Sequence, residues 1–176
     1  MTTAKLNSGV FSSASDEWAT PAVLFALLND EFRGFAVDVC ASTENAKCAR
    51  YWTMADNGLA QAWPMVERWP SGGCWMNPPY SQIGEWMRKA HESALAGSLV
   101  VCLVPARTDT RWWWSYAVPA EIRFLPGRLK FGGGDGKNSA PFPSAVIVMW
   151  PGLPEWGWRV RFWDWRESAR NRGIQP

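Results

Sequence analysis

The sequence lacks the features that mark metalloenzymes, disulfide-stabilised secreted proteins and membrane proteins. Its 176 residues include one histidine, His91, and four cysteines. The cysteines show no CxxC spacing, and no histidine stands at metal-ligand spacing from them. No apolar run is long enough to span a bilayer, and residues 1–11 contain no stretch of signal-peptide length. We therefore expect no metal, no membrane association and no secretion, with the cysteines reduced in a cytosolic protein.

The chain also lacks a strong net charge, which is +2 at pH 7. A polyanionic partner would have to be bound by a local basic patch. Tryptophan is abundant, with 14 residues. Most of these are expected in the core, and a few are available to stack on flat ligands.

Length and composition predict one folded domain. Residues 1–15 are small, polar and aperiodic, so they are expected to form a flexible arm before a single domain at 16–176. The part from about residue 155 onward is rich in tryptophan and arginine, and its pattern supports no assignment.

Hydrophobic spacing predicts helices and strands in alternation. The expected helices are 21–33, 83–95 and 110–118, and the expected strands are 35–40, 50–53, 74–76, 98–104, 121–125, 128–131 and 145–150. Thr20 is expected to cap the first helix and Pro21 to take its first position. Strand, helix and strand in this order favour right-handed βαβ units. The predicted fold is α/β, with a mostly parallel sheet that has an antiparallel end.

The most specific motif is Asn77-Pro78-Pro79-Tyr80, directly after the predicted strand 74–76. Open α/β sheets bind ligands at the carboxyl ends of their strands. An exocyclic aromatic amine is a poor nucleophile, and two acceptors on its protons would hold its lone pair toward an electrophilic methyl group. The side-chain oxygen of Asn77 and the carbonyl of Pro78 suit that task, while the prolines stiffen the loop and Tyr80 offers a face for stacking a base. The alternative is a rigid turn without chemistry.

This chemistry needs no strong general base. His91 falls within the amphipathic pattern at 83–95 and is interpreted as a surface residue. A duplex base must leave its stack to reach such a loop, so the site is expected to be a pocket for a flipped base.

Asp38 interrupts the otherwise apolar strand 35–40. Burying a carboxylate is costly unless it is paired, so Asp38 requires a partner in the protein or in a ligand.

Six segments carry a wider resemblance. They are Asp16-Glu17-Trp18-Ala19-Thr20-Pro21, Val37-Asp38-Val39-Cys40-Ala41-Ser42, Asn45-Ala46-Lys47-Cys48, Trp75-Met76-Asn77-Pro78-Pro79-Tyr80-Ser81, Pro105-Ala106-Arg107-Thr108-Asp109-Thr110-Arg111-Trp112 and Gly127-Arg128-Leu129-Lys130-Phe131. Together, and in this order, they resemble the phage-type DNA N6-adenine methyltransferase (Dam) family. The resemblance implies a Rossmann-like methyltransferase fold, S-adenosylmethionine as donor, double-stranded DNA as partner and N6-methyladenine as product. It implies no obligate protein partner, and it implies phage or prophage origin with action in the bacterial cytoplasm.

Carried over by position, the resemblance assigns two motifs to the cofactor. The first, which closes over the methionine end of the cofactor, comprises Trp18, Thr20 and Pro21. The second, at the end of the first strand, comprises Asp38, Cys40, Ala41 and Ser42. In it the Asp38 carboxylate binds the ammonium group of the cofactor, which would offset its desolvation. The glycines that many methyltransferases carry in this second motif are absent here.

The remaining site residues have two open interpretations each. Asp56 is similar to a residue that contacts the adenosine of the cofactor, but Asp-Asn-Gly is also an ordinary turn. Arg107, Thr108 and Arg111 can contact phosphates or the target nucleotide, or can belong to a helix cap with solvated arginines. Lys130 and the glycine-rich loop 132–136 either approach the DNA backbone or form a flexible hairpin tip.

The favoured interpretation is an S-adenosylmethionine-dependent DNA adenine-N6 methyltransferase with the Asn77 to Tyr80 loop as its catalytic element. One rival is a methyltransferase of RNA bases or protein glutamine, because the same loop suits any planar conjugated nitrogen. The other is a non-catalytic nucleic-acid-binding relative that uses its tryptophans as stacking surfaces.

Overall fold

The computed structural model describes residues 19–66, 72–131, 139–153 and 159–176. The expectations for the arm at 1–15, for Trp18 and for the loop at 132–136 lie outside these residues. The helices are α1 (Ala22–Glu31), α2 (Ile83–Leu95) and α3 (Trp165–Asn171), with a 3-10 turn at Tyr80–Gln82 and a π-helical turn at Trp113–Ala117. The strands are β1 (Phe35–Asp38), β2 (Gly73–Met76), β3 (Val100–Pro105), β4 (Glu121–Phe124), β5 (Ser144–Met149) and β6 (Arg159–Phe162).

The strands form one sheet in the order β1-β2-β3-β5-β4-β6. β1, β2 and β3 are parallel neighbours, and so are β4 and β6, whereas β5 is antiparallel to both β3 and β4. Within the described ranges, five of the six strands therefore run in one direction, and the mostly parallel sheet that the sequence predicts is confirmed. The predicted antiparallel end is misplaced, because β5 lies inside the sheet. All six residues of β5 are buried, which requires cover on both faces of the sheet.

The two faces of the sheet are covered by different helices. On one face, α2 buries Ile83, Trp86, Met87 and Ala90, the spacing that the sequence shows, in a core that includes Trp113 of the π-helical turn. On the other face, α1 and α3 pack together in a second core that includes Leu24 of α1 and Trp165 of α3. The sheet thus has helices on both sides, as its buried strands require.

Several local predictions differ from the structure. Segments 50–53 and 128–131 form only isolated bridges, Asp38 with Tyr51 and Lys130 with Ser139, rather than strands. Thr20 does not cap α1; Pro21 is the N-cap, without a side-chain hydrogen bond. The Thr20 hydroxyl bonds to a side chain distant in the sequence, which no local pattern reveals.

The C-terminal segment, left without assignment by its sequence, contributes the sixth strand and the third helix. β6 pairs with β4, and all four of its residues are exposed. Asp164 caps α3, because its side chain accepts hydrogen bonds from the backbone of Arg166 and Glu167. No helix in the described part of the chain is long and apolar enough to cross a bilayer.

Candidate active site

The parallel strands β1, β2 and β3 end at the same edge of the sheet. Asp38 is the last residue of β1 and pairs in register with Trp75 of β2, and Asn77 follows the end of β2. The segment 106–111 follows the end of β3. Three segments that are far apart in sequence therefore meet at one edge, where open α/β sheets bind their ligands.

Asp38 is buried, with only 3% of its surface exposed. One carboxylate oxygen accepts a 3.0 Å hydrogen bond from the backbone N–H of Lys47, and the other accepts one of 3.4 Å from Cys40. Burial raises the pKa of Asp38 from 3.8 to about 6, although these two backbone donors and the charge of Lys47 oppose the rise. The carboxylate is thus stabilised only in part by the protein, and a cationic ligand would stabilise it further.

The side chain of Asn77 is held from both sides. Its amide nitrogen donates a 3.1 Å hydrogen bond to the hydroxyl of Thr20, and its oxygen accepts one of 3.2 Å from the hydroxyl of Tyr80. Thr20 is itself buried, with 3% exposed. An amide oxygen has two lone pairs, so the oxygen of Asn77 can accept a further hydrogen bond while it keeps the bond from Tyr80.

The rest of the motif forms a stiff support for Asn77. Pro78 is buried and Pro79 is half-buried at the start of the 3-10 turn. The ring of Tyr80 packs edge-on against Phe142, with centroids 5.4 Å apart, and burial raises the pKa of its hydroxyl above the usual range. Tyr80 therefore stays protonated at neutral pH and can donate to Asn77.

The loop after Asp38 approaches the Asn77 motif. The backbone N–H of Asn77 donates to the sulfur of Cys40, whose thiol pKa is raised, first by burial and then by the negative charge of Asp38. The backbone N–H of Ala41 donates to the carbonyl of Trp52, and that of Ser42 donates to the side-chain oxygen of Asn45 at 2.7 Å. The side chain of Asn45 thus closes the loop that carries the second predicted cofactor motif.

One pocket brings together residues from both predicted cofactor motifs and the Asn77 motif. It is lined by Ala19, Thr20, Asp38, Cys40, Asn45, Lys47, Trp75 and Asn77. Thr20, Asp38, Cys40 and Asn77 are sequence-predicted site residues, whereas Asn45 and Lys47 had no assigned role. The sequence does indicate these two residues, because they belong to Asn45-Ala46-Lys47-Cys48, one of the six segments that resemble the family. The resemblance assigned no role to them.

Asp56 is exposed in the turn at 54–60 and is not among the residues that line this pocket. Its carboxylate accepts hydrogen bonds from both the backbone and the hydroxyl of Thr53, and these bonds lower its pKa. These bonds are typical of an ordinary turn, which was one of the two interpretations of Asp56 from the sequence. The other interpretation, a contact with the adenosine of the cofactor, stays a prediction.

The predicted DNA contacts are at the surface. Arg107, Thr108 and Arg111 are exposed after β3, and Lys130 is exposed after β4. The hydroxyl of Thr110 donates to the carbonyl of Arg107 at 2.7 Å and so closes the turn after β3. The residue that precedes the π-helical turn, Trp112, makes no side-chain cap hydrogen bond. The exposed side chains remain available to phosphates.

His91 is half-buried on α2 rather than fully at the surface. Its ring lies 5.5 Å from that of Tyr116, and desolvation lowers its pKa. It does not line the pocket that contains Asn77. Within the described ranges, no three His, Cys, Asp or Glu side chains are grouped as a metal site.

Comparison with known proteins gives one family and several relatives. The family model described as "DNA N-6-adenine-methyltransferase (Dam)" matches residues 7–157. A DNA N-6-adenine-methyltransferase of Escherichia phage T1 is 30% identical over 98 residues, which cover 56% of this chain and 39% of that protein. Another, of Haemophilus phage HP1 (strain HP1c1), is 32% identical over 108 residues, covering 60% of this chain and 59% of that protein. YfdM of Escherichia coli (strain K12) is 40% identical over 65 residues, 37% of this chain and 71% of that protein. The match thus covers less than two thirds of the length of either phage relative.

Proposed function

Because the chain belongs to the DNA N-6-adenine-methyltransferase (Dam) family, we propose that it transfers a methyl group from S-adenosylmethionine to N6 of adenine in double-stranded DNA. The observation that carries the proposal is the Asn77 side chain, fixed between Thr20 and Tyr80 in the pocket that also contains Asp38. Relatives encoded by two phages support a phage or prophage origin and action in the bacterial cytoplasm.

The residues of the pocket fit S-adenosylmethionine. Asp38 is a buried carboxylate with a raised pKa, and within the described residues its hydrogen bonds come from the backbone N–H groups of Cys40 and Lys47. The ammonium group of an amino-acid moiety therefore suits it. Thr20, Pro21, Cys40, Ala41 and Ser42 are the further cofactor-binding residues that we propose, together with Trp18. When bound, the cofactor supplies an electrophilic methyl group on a sulfonium centre.

The Asn77 loop orients the amine of the substrate. The Asn77 oxygen and the Pro78 carbonyl accept hydrogen bonds from the two N–H groups of adenine N6, which directs the nitrogen lone pair out of conjugation with the ring. The same two acceptors stabilise the positive charge that develops on the nitrogen as it is methylated. Tyr80 donates to Asn77, and the aromatic face of Tyr80 supports the base.

The location of this pocket determines how the DNA must be presented. Asn77 is half-buried and Tyr80 and Pro78 are buried, so a base inside an intact duplex cannot reach them. We propose that the adenine is flipped out of the duplex, with Arg107, Thr108, Arg111 and Lys130 contacting the DNA. The Rossmann-like character of the fold is inferred from five strands that run in one direction and a site at their carboxyl ends.

The test measures transfer of labelled methyl groups to unmethylated DNA, RNA and protein, with the DNA products identified by mass spectrometry. The intact chain is compared with Asn77→Ala and with Glu92→Ala, a control on the exposed side of α2. We expect N6-methyladenine from the intact chain and the control, and none from Asn77→Ala. Cofactor binding by Asn77→Ala, measured by calorimetry, shows that the variant is folded.

The rival functions predict other outcomes of the same experiment. If only RNA or only protein glutamine is labelled, that molecule and not DNA is the substrate. Cofactor binding without transfer to any substrate would support a non-catalytic nucleic-acid-binding relative.

A further inference from the structure

The pocket that contains Asn77 is lined by one acidic and one basic side chain. Among the described residues around it, Asp38 is the only carboxylate and Lys47 the only cation. The proposed function uses the carboxylate of Asp38 for an ammonium group. Lys47 takes part there only through its backbone N–H, so the charge of its side chain has no assigned ligand.

The position of Lys47 beside Asp38 is fixed by the backbone. Its N–H donates a 3.0 Å hydrogen bond to one carboxylate oxygen of Asp38. The turn before Lys47 is closed twice. The backbone N–H of Ala46 donates to the carbonyl of Ser42 at 3.1 Å, and the N–H of Ser42 donates to the side-chain oxygen of Asn45 at 2.7 Å. The lysine side chain therefore starts from a defined point next to the carboxylate.

The protein does not use the ammonium group of Lys47 for a contact of its own. The residue is half-buried, and within the described part of the chain its side chain forms neither a hydrogen bond nor an ion pair. Its charge lowers the pKa of Asp38 against the larger effect of burial, so the two groups are close enough to interact. Glu44, the nearest acidic residue along the chain, is exposed and accepts a 2.8 Å hydrogen bond from the hydroxyl of Thr43. Lys47 is thus not neutralised by a neighbouring carboxylate of its own segment.

This arrangement matches the head of an α-amino acid. An α-amino acid carries an ammonium group and a carboxylate on the same carbon atom, so a site for both requires an anion and a cation side by side. Asp38 suits the ammonium group, and Lys47 suits the carboxylate, because a lysine ammonium is a compact charge with three donors. Such a head also adds no net charge to a partly buried pocket, and each of its charges meets an opposite one.

We propose that the ammonium group of Lys47 binds the carboxylate of the methionine moiety of S-adenosylmethionine, while Asp38 binds the ammonium group on the same carbon. This identification of the ligand rests on the proposed function. The pocket then selects cofactors that keep both charges. A ligand without the carboxylate leaves Lys47 unpaired and is expected to bind the intact chain at least about tenfold more weakly.

The experiment measures by calorimetry the binding of two ligands to the full chain at neutral pH, above the pKa of about 6 of Asp38. One is S-adenosylmethionine. The other is decarboxylated S-adenosylmethionine, which keeps the sulfonium and the ammonium group but lacks the carboxylate. The intact chain is compared with Lys47→Met, which removes the charge and keeps an apolar stem. Lys89→Met is the matched control, because Lys89 is also half-buried, with its ammonium 6.0 Å from the ring centre of Trp63.

We expect Lys47→Met to bind S-adenosylmethionine at least about tenfold more weakly than the intact chain, and to bind the decarboxylated ligand equally well. The decarboxylated ligand separates two effects of the substitution. Without the charge of Lys47 the pKa of Asp38 rises, and a smaller ionised fraction of Asp38 weakens both ligands equally. Loss of a carboxylate contact weakens S-adenosylmethionine alone. Lys47→Arg, which keeps the charge, should retain most of the affinity, and Lys89→Met all of it.

The outcomes distinguish this proposal from the proposed function. If Lys47→Met binds S-adenosylmethionine as Lys89→Met does, the proposal is wrong and the proposed function stands. An equal loss for both ligands also overturns it, since Lys47 then acts only through Asp38. If S-adenosylmethionine alone is weakened but the intact chain methylates no DNA, the proposed function fails and the carboxylate site stands. If the intact chain binds neither ligand, both are wrong.

Discussion

The side-chain nitrogen of Asn77 donates a 3.1 Å hydrogen bond to the hydroxyl of Thr20, which lies 57 residues earlier in the chain. The bond joins the segment before α1 to the loop after β2, at the edge of the sheet where the pocket lies. Together with the bond from Tyr80, it sets the orientation of the amide whose oxygen we assign to the substrate amine.

Thr20→Val is expected to lower kcat about tenfold, because it removes this acceptor while it preserves the shape of the side chain. The affinity for DNA should change little, since Thr20 is 3% exposed and faces the amide. Steady-state kinetics of DNA methylation measures the effect. Thr20→Ser, which keeps the hydroxyl, should retain most of the activity; equal loss in both variants would contradict the role of the hydrogen bond.

The affinity for S-adenosylmethionine is expected to rise with pH up to about 6 and then to level off. The ammonium group of the cofactor requires an ionised Asp38, and in the free protein this carboxyl is protonated below its raised pKa. The affinity should therefore change close to tenfold per pH unit below that pKa. Calorimetry in buffers of different ionisation enthalpy counts the proton released. In Asp38→Asn the affinity should be lower than that of the intact protein at neutral pH and independent of pH, so the two affinities should converge as the pH falls below about 6.

Asp38→Asn is expected to make the protein without cofactor more stable at neutral pH. The pKa of Asp38 is raised by folding, so its favourable contribution is complete below pH 3.8 and is lost as the pH rises through about 6. The ionised carboxylate therefore lowers the free energy of unfolding at neutral pH by up to about 3 kcal/mol. Urea denaturation of both proteins at acidic and neutral pH tests this; a less stable variant at neutral pH would show that the hydrogen bonds of Asp38 outweigh its desolvation.

Gly58→Ala is expected to destabilise the fold by several kcal/mol and to impair cofactor binding. A Cβ atom at Gly58 would lie 2.1 Å from the carbonyl oxygen of Val39, next to Asp38, so the backbone would have to move. Thermal denaturation and calorimetry measure both effects. Gly84→Ala in α2 is the matched control, because its Cβ would meet no atom within 4 Å and alanine favours the helix, by roughly 0.5–1 kcal/mol.

Arg123→Met is expected to reduce the free energy of unfolding by about 3–5 kcal/mol. Arg123 is buried between Glu121 of β4 and Glu31 of α1, at 2.8 and 2.7 Å, and the substitution leaves the buried Glu121 without its strongest partner. Denaturant titration tests the value. Arg88→Met breaks an exposed pair with Glu92 and should cost under about 1 kcal/mol; similar losses in both variants would contradict the role of burial.

Local patterns in the sequence were sufficient for most of the secondary structure. The buried run of β3 and the spacing of Ile83, Trp86 and Met87 in α2 follow rules of burial that act over a few residues. The edge strand β6 was missed because its arginines alternate with Val160 and Phe162 without a buried face. Its pairing depends on β4, which no neighbouring residue indicates.

In the candidate site, too, some residues could be predicted from a local sequence pattern and others could not. The Asn77 motif and the interrupting carboxylate of Asp38 were identifiable because their chemistry is visible in a single segment. Asn45 and Lys47 were not, because their roles are a loop closure and a backbone hydrogen bond to Asp38. The prediction that Thr20 caps α1 was wrong, because its hydroxyl instead accepts a hydrogen bond from the side-chain amide of Asn77.

The sequence by itself determined the family and the α/β fold with its mostly parallel sheet, and it indicated the segments in which we predict the chemistry, since these depend on residue identity and short-range spacing. Only the tertiary structure decided that Thr20, Asp38 and Asn77 share one pocket, that β5 lies inside the sheet, and that β6 pairs with β4. The reason is physical: strand order and side-chain partners follow from the packing of the whole chain, in which contacts between distant segments compete for the same buried space.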